Sequence, residues 1–484
     1  MITVRLLTRC IDLGTLIVLG RLLSPADFGL VAIAMSVLVI IEGASELPLL
    51  QALIRLPVLD KEHYDTAFTL SILRGLVLAS TLLILAWPMA RLYGDPRLVG
   101  LLCALWIAPA GRSLGSPIFA EYFRRFEFGP SLAIEVTGKL LAFLTAVGLA
   151  WTTRSYWSIA AATIVAPVSM AVLSHIVAPY RPHLSLRVWR EFAGFLGWST
   201  AAQIVNAVNS QMDQLTLARF ISPVDLGRFS MAANLSNLPT QVIVTQVAAP
   251  LMVAFSHIRE DTRRLAAAYQ SSAATMVAIG VPAMIGLSMI AGPGIRLILG
   301  EQWLPAAEIL RWLSIAAIPY FFVSALGPLS MALNRTNIFL RLSAIEFCIK
   351  APLILLGAIY YGVSGVVVVR LAVAVVMAGC SMFAVRSLTG SSVTGQILSP
   401  WRPVLSGVVM ALTIWAFEGW LNGLQGTIPL ALGLAGVVVL AASIYFASLF
   451  LFWRVAGSPN GLEEKAFAVL SRYLNRITPR FAAR

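Results

Sequence analysis

Charge is scarce in this chain. Asp, Glu, Lys and Arg make up 12% of its 484 residues, where a soluble globular protein carries roughly 25%. So few polar groups cannot cover the domain surfaces of a soluble fold this long, and that class is excluded. Cysteine is scarcer still. Cys10, Cys103, Cys348 and Cys380 are scattered in or beside apolar runs, without C-x-x-C spacing, which suits packed thiols and argues against disulfides or zinc. His63, His175, His183 and His257 do not cluster, and there is no H-E-x-x-H, no G-x-x-x-x-G-K-[ST], no G-x-G-x-x-G opening a helix and no G-x-S-x-G elbow. No paired aspartates of a sugar-nucleotide transferase stand in a cytoplasmic loop, and the long extracytoplasmic loop usual in membrane glycan polymerases and ligases is missing. The sequence therefore offers no enzyme chemistry and implies neither cofactor nor metal.

What the chain has in abundance is apolar length. Hydrophobic residues reach 59% and the mean hydropathy is +0.85. A bilayer crossing takes roughly 20 apolar residues, and such runs fall at 3–22, 28–52, 67–92, 98–119, 131–151, 157–178, 192–218, 227–251, 270–292, 306–330, 341–360, 363–385, 403–420 and 428–452. The expected fold is an all-α polytopic membrane protein with about 14 transmembrane helices. The first run carries Arg9 and Asp12 and lacks a small-residue cleavage site, so it reads as a retained helix rather than a signal peptide.

The net charge of +13 reads as loop cations that set orientation, and no nucleic-acid partner is implied. Twenty-two of the 35 Lys and Arg lie at the helix ends on the N-terminal side and seven on the opposite side. That bias predicts both termini in the cytoplasm. Residues 456–484 place Leu462, Phe467, Leu470, Tyr473 and Leu474 at helical spacing among basic residues. They read as an amphipathic cytoplasmic tail on the inner membrane surface, with a frayed basic tail as the alternative.

The chain also repeats itself. LGRLLSPADFGLVAIA at 19–34 matches LARFISPVDLGRFSMA at 217–232, an offset of 198 that aligns Arg21, Ser24, Pro25, Asp27 and Gly29 with Arg219, Ser222, Pro223, Asp225 and Gly227. Further on, 117–135 aligns with 328–346 at an offset of 211, and each closing glutamate is followed four residues later by a lysine. A repeat of about six helices keeps both copies in one orientation, so the expected architecture is two parallel six-helix repeats around a central cavity, plus two C-terminal helices. The boundaries read as lobes at 1–180 and 181–390, then a helix pair at 391–455. Within the motif, Ser and Pro suit a helix N-terminus. Gly29 and Gly227 suit close approach at the mouth of the next helix.

R-L-L-S-P-x-D-F-G-L-V-A after the first helix, with the segment Asn209 to Gln214 before the second copy, resembles the polysaccharide-transporter family of the multidrug/oligosaccharidyl-lipid/polysaccharide exporter superfamily. These are the O-antigen and exopolysaccharide repeat-unit flippases. The resemblance spans essentially the whole chain. It implies a multi-pass protein of the bacterial inner membrane that moves undecaprenyl-diphosphate-linked oligosaccharide outward by alternating access, for exopolysaccharide or lipopolysaccharide biosynthesis. Membrane lipid, polysaccharide polymerase and chain-length proteins are the partners it suggests. A cation-coupled multidrug antiporter of the same superfamily is the alternative.

Polar groups at membrane depth are the candidate site residues. Ser199, Gln203, Asn206, Ser210 and Asp213 fall on one helical face, and Asn234, Asn237, Gln241 and Thr245 on another. They read as cavity walls for sugars or as hydrogen bonds between helices. Asp12 and Asp213 sit alike in the first helix of each repeat and are candidates for proton or sodium coupling, against structural aspartates. Glu46 and Arg74 lie at matched depth and are expected to pair; alternatively Arg74 meets an anionic headgroup. Glu135 with Lys139, and Glu346 with Lys350, are expected to form intrahelical pairs, as is Arg311 with Glu308. Arg370 is a further candidate for diphosphate contact.

Overall fold

A computed structural model describes residues 2–45, 49–55, 59–125, 127–190, 197–335 and 337–457. Helices are the only regular secondary structure among the described residues. Its long helices are α1 (Ile2–Leu22), α2 (Pro25–Ala44), α3 (Lys61–Tyr93), α4 (Gly129–Thr153), α5 (Trp157–Val177), α6 (Gly197–Phe220), α7 (Pro223–His257), α8 (Thr262–Met289), α9 (Pro305–Val323), α10 (Asn337–Thr389), α11 (Trp401–Gly423) and α12 (Thr427–Val455). Among the described residues, ten helices are long and apolar enough to cross a membrane: α2–α5 and α7–α12, with α9 extended through Ala332. The all-α polytopic fold is thus as expected. The two long helices that fall short are α1 and α6, the first of each repeat, because they carry the polar and charged side chains. A count of fourteen needs both of them, the broken stretch Arg97–Leu105 and Ile107–Ser113, and the division of α10. Gly362 makes that division with φ +57° and ψ −132°, a conformation that costs a residue with a Cβ.

Contacts divide the chain into two units. The first holds Met1–Met231, Ile298–Trp303 and Ser343–Val366; the second holds Ala232–Leu297, Leu304–Leu342 and Val367–Arg484. The repeat and the contact grouping cut the chain differently, since α6 opens the second repeat and belongs to the first unit.

Within the first unit the two motif copies meet. Ser24 caps α2 by accepting from the Asp27 N–H, while Asp27 accepts from the Ser24 N–H. Ser222 and Asp225 repeat part of this at the start of α7, with the Ser222 hydroxyl 2.8 Å from the Asp225 carboxylate and accepting from the Asp225 N–H. The glycines then face each other reciprocally. A Cβ on Gly29 would lie 1.9 Å from the Pro223 carbonyl oxygen, and one on Gly227 would lie 1.8 Å from that of Pro25. The expected close approach is therefore real, and each copy of the motif supplies the surface on which the other packs. Farther along, the Ser36 hydroxyl donates to Gln211 and the Gln214 amide to the Ala32 carbonyl, tying α2 to α6. The segment Ile298–Trp303 closes over the end of α1, with the Trp303 indole N–H on the Gly20 carbonyl at 2.7 Å and the Arg21 guanidinium on that of Ile298.

The second unit packs α8 against α9 and α11, and α11 against α12. Phe321 fills the space beside Gly280, where a Cβ would lie 2.1 Å from its ring.

Candidate functional site

Both lysines that follow the repeat-end glutamates reach across to the first helix of their repeat. Lys139 on α4 places Nζ 2.5 Å from Asp12 Oδ2 on α1. Lys350, in the first part of α10, places Nζ 2.8 Å from Asp213 Oδ1 on α6. All four residues belong to the first unit. The expectation that Lys139 pairs with Glu135 is corrected: its partner is Asp12. An i,i+4 pair is worth only a few tenths of a kcal/mol, too little to hold Lys139 on its own helix when the Asp12 carboxylate stands within reach on α1.

The two pairs differ in surroundings. Lys350 and Asp213 side chains are 7% and 4% exposed, while Lys139 and Asp12 are 23% and 38% exposed. Around the buried pair, the Lys350 ammonium also donates to the Asn209 carbonyl at 2.6 Å, and the Asn209 amide donates to the Ser343 carbonyl at 2.9 Å. The half-exposed pair instead opens on a cavity of about 730 Å³, lined among others by Thr15, Arg112, Ser131, Glu135 and Thr163. A second cavity of about 1090 Å³ lies wholly in the second unit between α8, α11 and α12. Ile279, Met410, Ile414 and Phe446 make most of it apolar, and Arg402 and Gln270 line it too.

Arg74 donates to the Glu42 backbone carbonyl at 3.5 Å, and the Glu42 carboxylate pairs with Arg112 at 2.8 Å. Glu46, its expected partner, lies outside the described residues. Arg311 pairs with Glu418 on α11 at 2.6 Å rather than with Glu308 on its own helix. Glu346 and Arg370 are half-buried on α10.

The amide-rich faces separate by depth. On α6, Asn206 and Ser210 are exposed and Gln203 is half-buried, but Asp213 is buried. The side chain of Ser199 lies outside the described residues. On α7, Asn234, Asn237, Gln241 and Thr245 are all exposed on one face. Reading residues one helix at a time missed the Lys139–Asp12 and Lys350–Asp213 contacts. The usable signal is the repeat: the two lysines recur at the offset of 211, and the first helix of each repeat carries an aspartate, Asp213 lying one turn from Ser210, the position that matches Asp12.

The all-helical architecture with many apolar helices is that of a multi-pass membrane protein. The chain belongs to the polysaccharide biosynthesis protein family, whose model matches residues 18–308. It is 24% identical over 395 residues to the lipopolysaccharide biosynthesis protein WzxC of Escherichia coli (strain K12), covering 80% of each chain. Similarity to the succinoglycan biosynthesis transport protein ExoT of Rhizobium meliloti (strain 1021) is also 24%, over 83% of this chain and 81% of that one. In fold it matches the lipid II flippase MurJ in an inward closed conformation, with a TM-score of 0.72 and 14% identity over 94% of this chain and 98% of that one.

Proposed function

We propose that this chain is a flippase that moves polyprenyl-diphosphate-linked oligosaccharide repeat units across the bacterial inner membrane by alternating access, with both termini in the cytoplasm. The observation that carries the reading is the exposed amide face of α7, Asn234, Asn237 and Gln241. Side-chain amides on a helix in lipid are costly unless they meet water or a polar ligand, and each offers the donors and acceptors that sugar hydroxyls need. Gln203, Asn206 and Ser210 on α6, in the first unit, offer the same donors and acceptors. Arg74 in the first unit and Arg370 in the second are each assigned as a cation for phosphate, which guanidinium groups bind well. The family, and relatives named for polysaccharide biosynthesis and transport, support this reading.

Ion coupling is assigned to Asp12 and not to Asp213. An exchanging carboxylate needs access to water, which Asp12 has at the cavity, while Asp213 is buried against the Lys350 ammonium. The same carboxylate-bearing cavity also favours the second reading, a cation-coupled multidrug antiporter. Deleting the gene in a strain without a second flippase separates the two. The flippase reading expects complete lipid-linked repeat units to accumulate on the cytoplasmic side and surface polymer to be lost. Normal pools and normal surface glycan, with new sensitivity to drugs, would favour the antiporter.

A further inference from the structure

The chain leaving α5 is laid along α3 as a strip without helix through residue 186, then turns at 187–188 into helical residues at 189–190. The Tyr180 hydroxyl donates to the buried Asp65 carboxylate, which also accepts the His183 N–H at 3.2 Å. Two residues on, the Ser185 N–H donates to the Thr69 hydroxyl at 3.0 Å, and that hydroxyl donates to the Asp65 carbonyl at 2.7 Å. Tyr180 stacks edge-on to Phe68, and Tyr180 and Val188 pack on a core cluster of Leu49, Leu53, Tyr64, Ala67 and Ala120. Burial, then the Asp65 carboxylate, pushes the Tyr180 phenol well above its usual value, so it stays a donor.

Because backbone N–H groups 183 and 185 turn inward, the residues between and beyond them turn out. Leu184 is 74% exposed, Trp189 48% and Leu186 43%. Arg181, Arg187 and Arg190 are exposed among them. Arg187 pairs with Glu62 at 2.8 Å, while Arg181 and Arg190 have no ion pair among the described residues. The strip runs from the last residue of α5 past the first turns of α3, both of them spanning helices, so it lies where the hydrocarbon ends.

We propose that residues 181–190 form an interfacial docking strip for anionic phospholipid headgroups, with Leu184, Leu186 and Trp189 entering the acyl boundary and Arg181 and Arg190 holding phosphate. Large apolar side chains alternating with arginines on a fixed backbone match the two layers of an anionic membrane surface. Two cations there contribute attraction that falls off within a Debye length. The charge also selects the occupant, since a zwitterionic headgroup offers the guanidiniums no net attraction.

The test uses the full chain in phosphatidylcholine bilayers with and without phosphatidylglycerol. A nitroxide on Leu184→Cys, in a background with the four native cysteines replaced, should be reached by oxygen more readily than by a water-soluble nickel chelate. In native mass spectrometry, the R181Q/R190Q variant should lose preference for phosphatidylglycerol over phosphatidylcholine on the order of tenfold. Ready access by the chelate would place the strip in water. Shielding from both probes would mean that protein covers it, and unchanged lipid preference would remove the arginines from the account. Any of the three overturns the proposal, and none depends on transport.

Discussion

The Lys139–Asp12 and Lys350–Asp213 contacts join corresponding helices of the two repeats, with the aspartates one turn out of register, and their difference in exposure separates a structural role from an exchangeable one. Removing one member of a buried pair leaves the other charge uncompensated and costs about 3–5 kcal/mol. Asp213→Asn should therefore lower the thermal stability of the purified protein sharply, and D213N/K350M, which removes both charges, should recover much of the loss. Asp12→Asn should cost about 1 kcal/mol or less, since its pair is half-exposed, yet abolish transport in a complementation assay. The sequence makes these four residues visible as charges at membrane depth, and the repeat aligns the two lysines. It does not reveal that α1 approaches α4, because a sequence gives distances only within one helix, and there the nearest carboxylate to Lys139 is Glu135. The same limit explains Arg311, whose partner Glu418 lies 107 residues away.

At the scale of the helix, the motif R-x-x-S-P-x-D-x-G works as a unit. Serine and aspartate cap each other, proline fixes the first turn, and glycine lets the second copy reach the backbone. A methyl at Gly29 or Gly227 would fall inside the carbonyl of the opposite copy. Forcing that contact apart costs about 1–3 kcal/mol or more, so Gly29→Ala and Gly227→Ala should each reduce the folded yield and melting temperature of the purified protein. Serine at the same positions should do no better, because the clash begins at Cβ. The turn after α3 gives a smaller, pH-dependent contribution. The Arg97 side chain and backbone N–H hold the Asp95 carboxyl below its ordinary value, against the opposing effect of burial. A carboxyl lowered on folding stabilises above its unfolded value and loses that contribution as pH falls through the folded one. This exposed pair is worth about 0–1 kcal/mol, and Asp95→Asn should flatten the acid limb of the melting curve by no more than that. Helix positions were legible because apolar runs of membrane length are hard to mistake. Charge made α1 and α6 the least regular of them, and the break at Gly362 was visible as the gap between two runs.

For the molecule as a whole, composition, the positive-inside bias and the duplication led to one architecture from separate physical causes. Lipid requires helices, orientation follows loop cations, and duplication of an even helix number keeps the copies parallel. The all-helical multi-pass fold and the family are borne out. The amide faces were read as continuous stripes, and the α7 stripe is exposed along its length, whereas the α6 stripe ends in a buried aspartate already committed to Lys350. Periodicity reports which residues share a face but not how deep each part of that face lies. The central claim is transbilayer movement of a lipid-linked glycan, and purified protein in vesicles tests it without other cell components. With a polyprenyl-diphosphate oligosaccharide placed in one leaflet, the glycan should become accessible to a membrane-impermeant lectin or glycosidase at a rate that the combined Asn234→Ala, Asn237→Ala and Gln241→Ala variant lowers at least tenfold. Appearance no faster than in protein-free vesicles, from protein shown to be folded, would contradict the account.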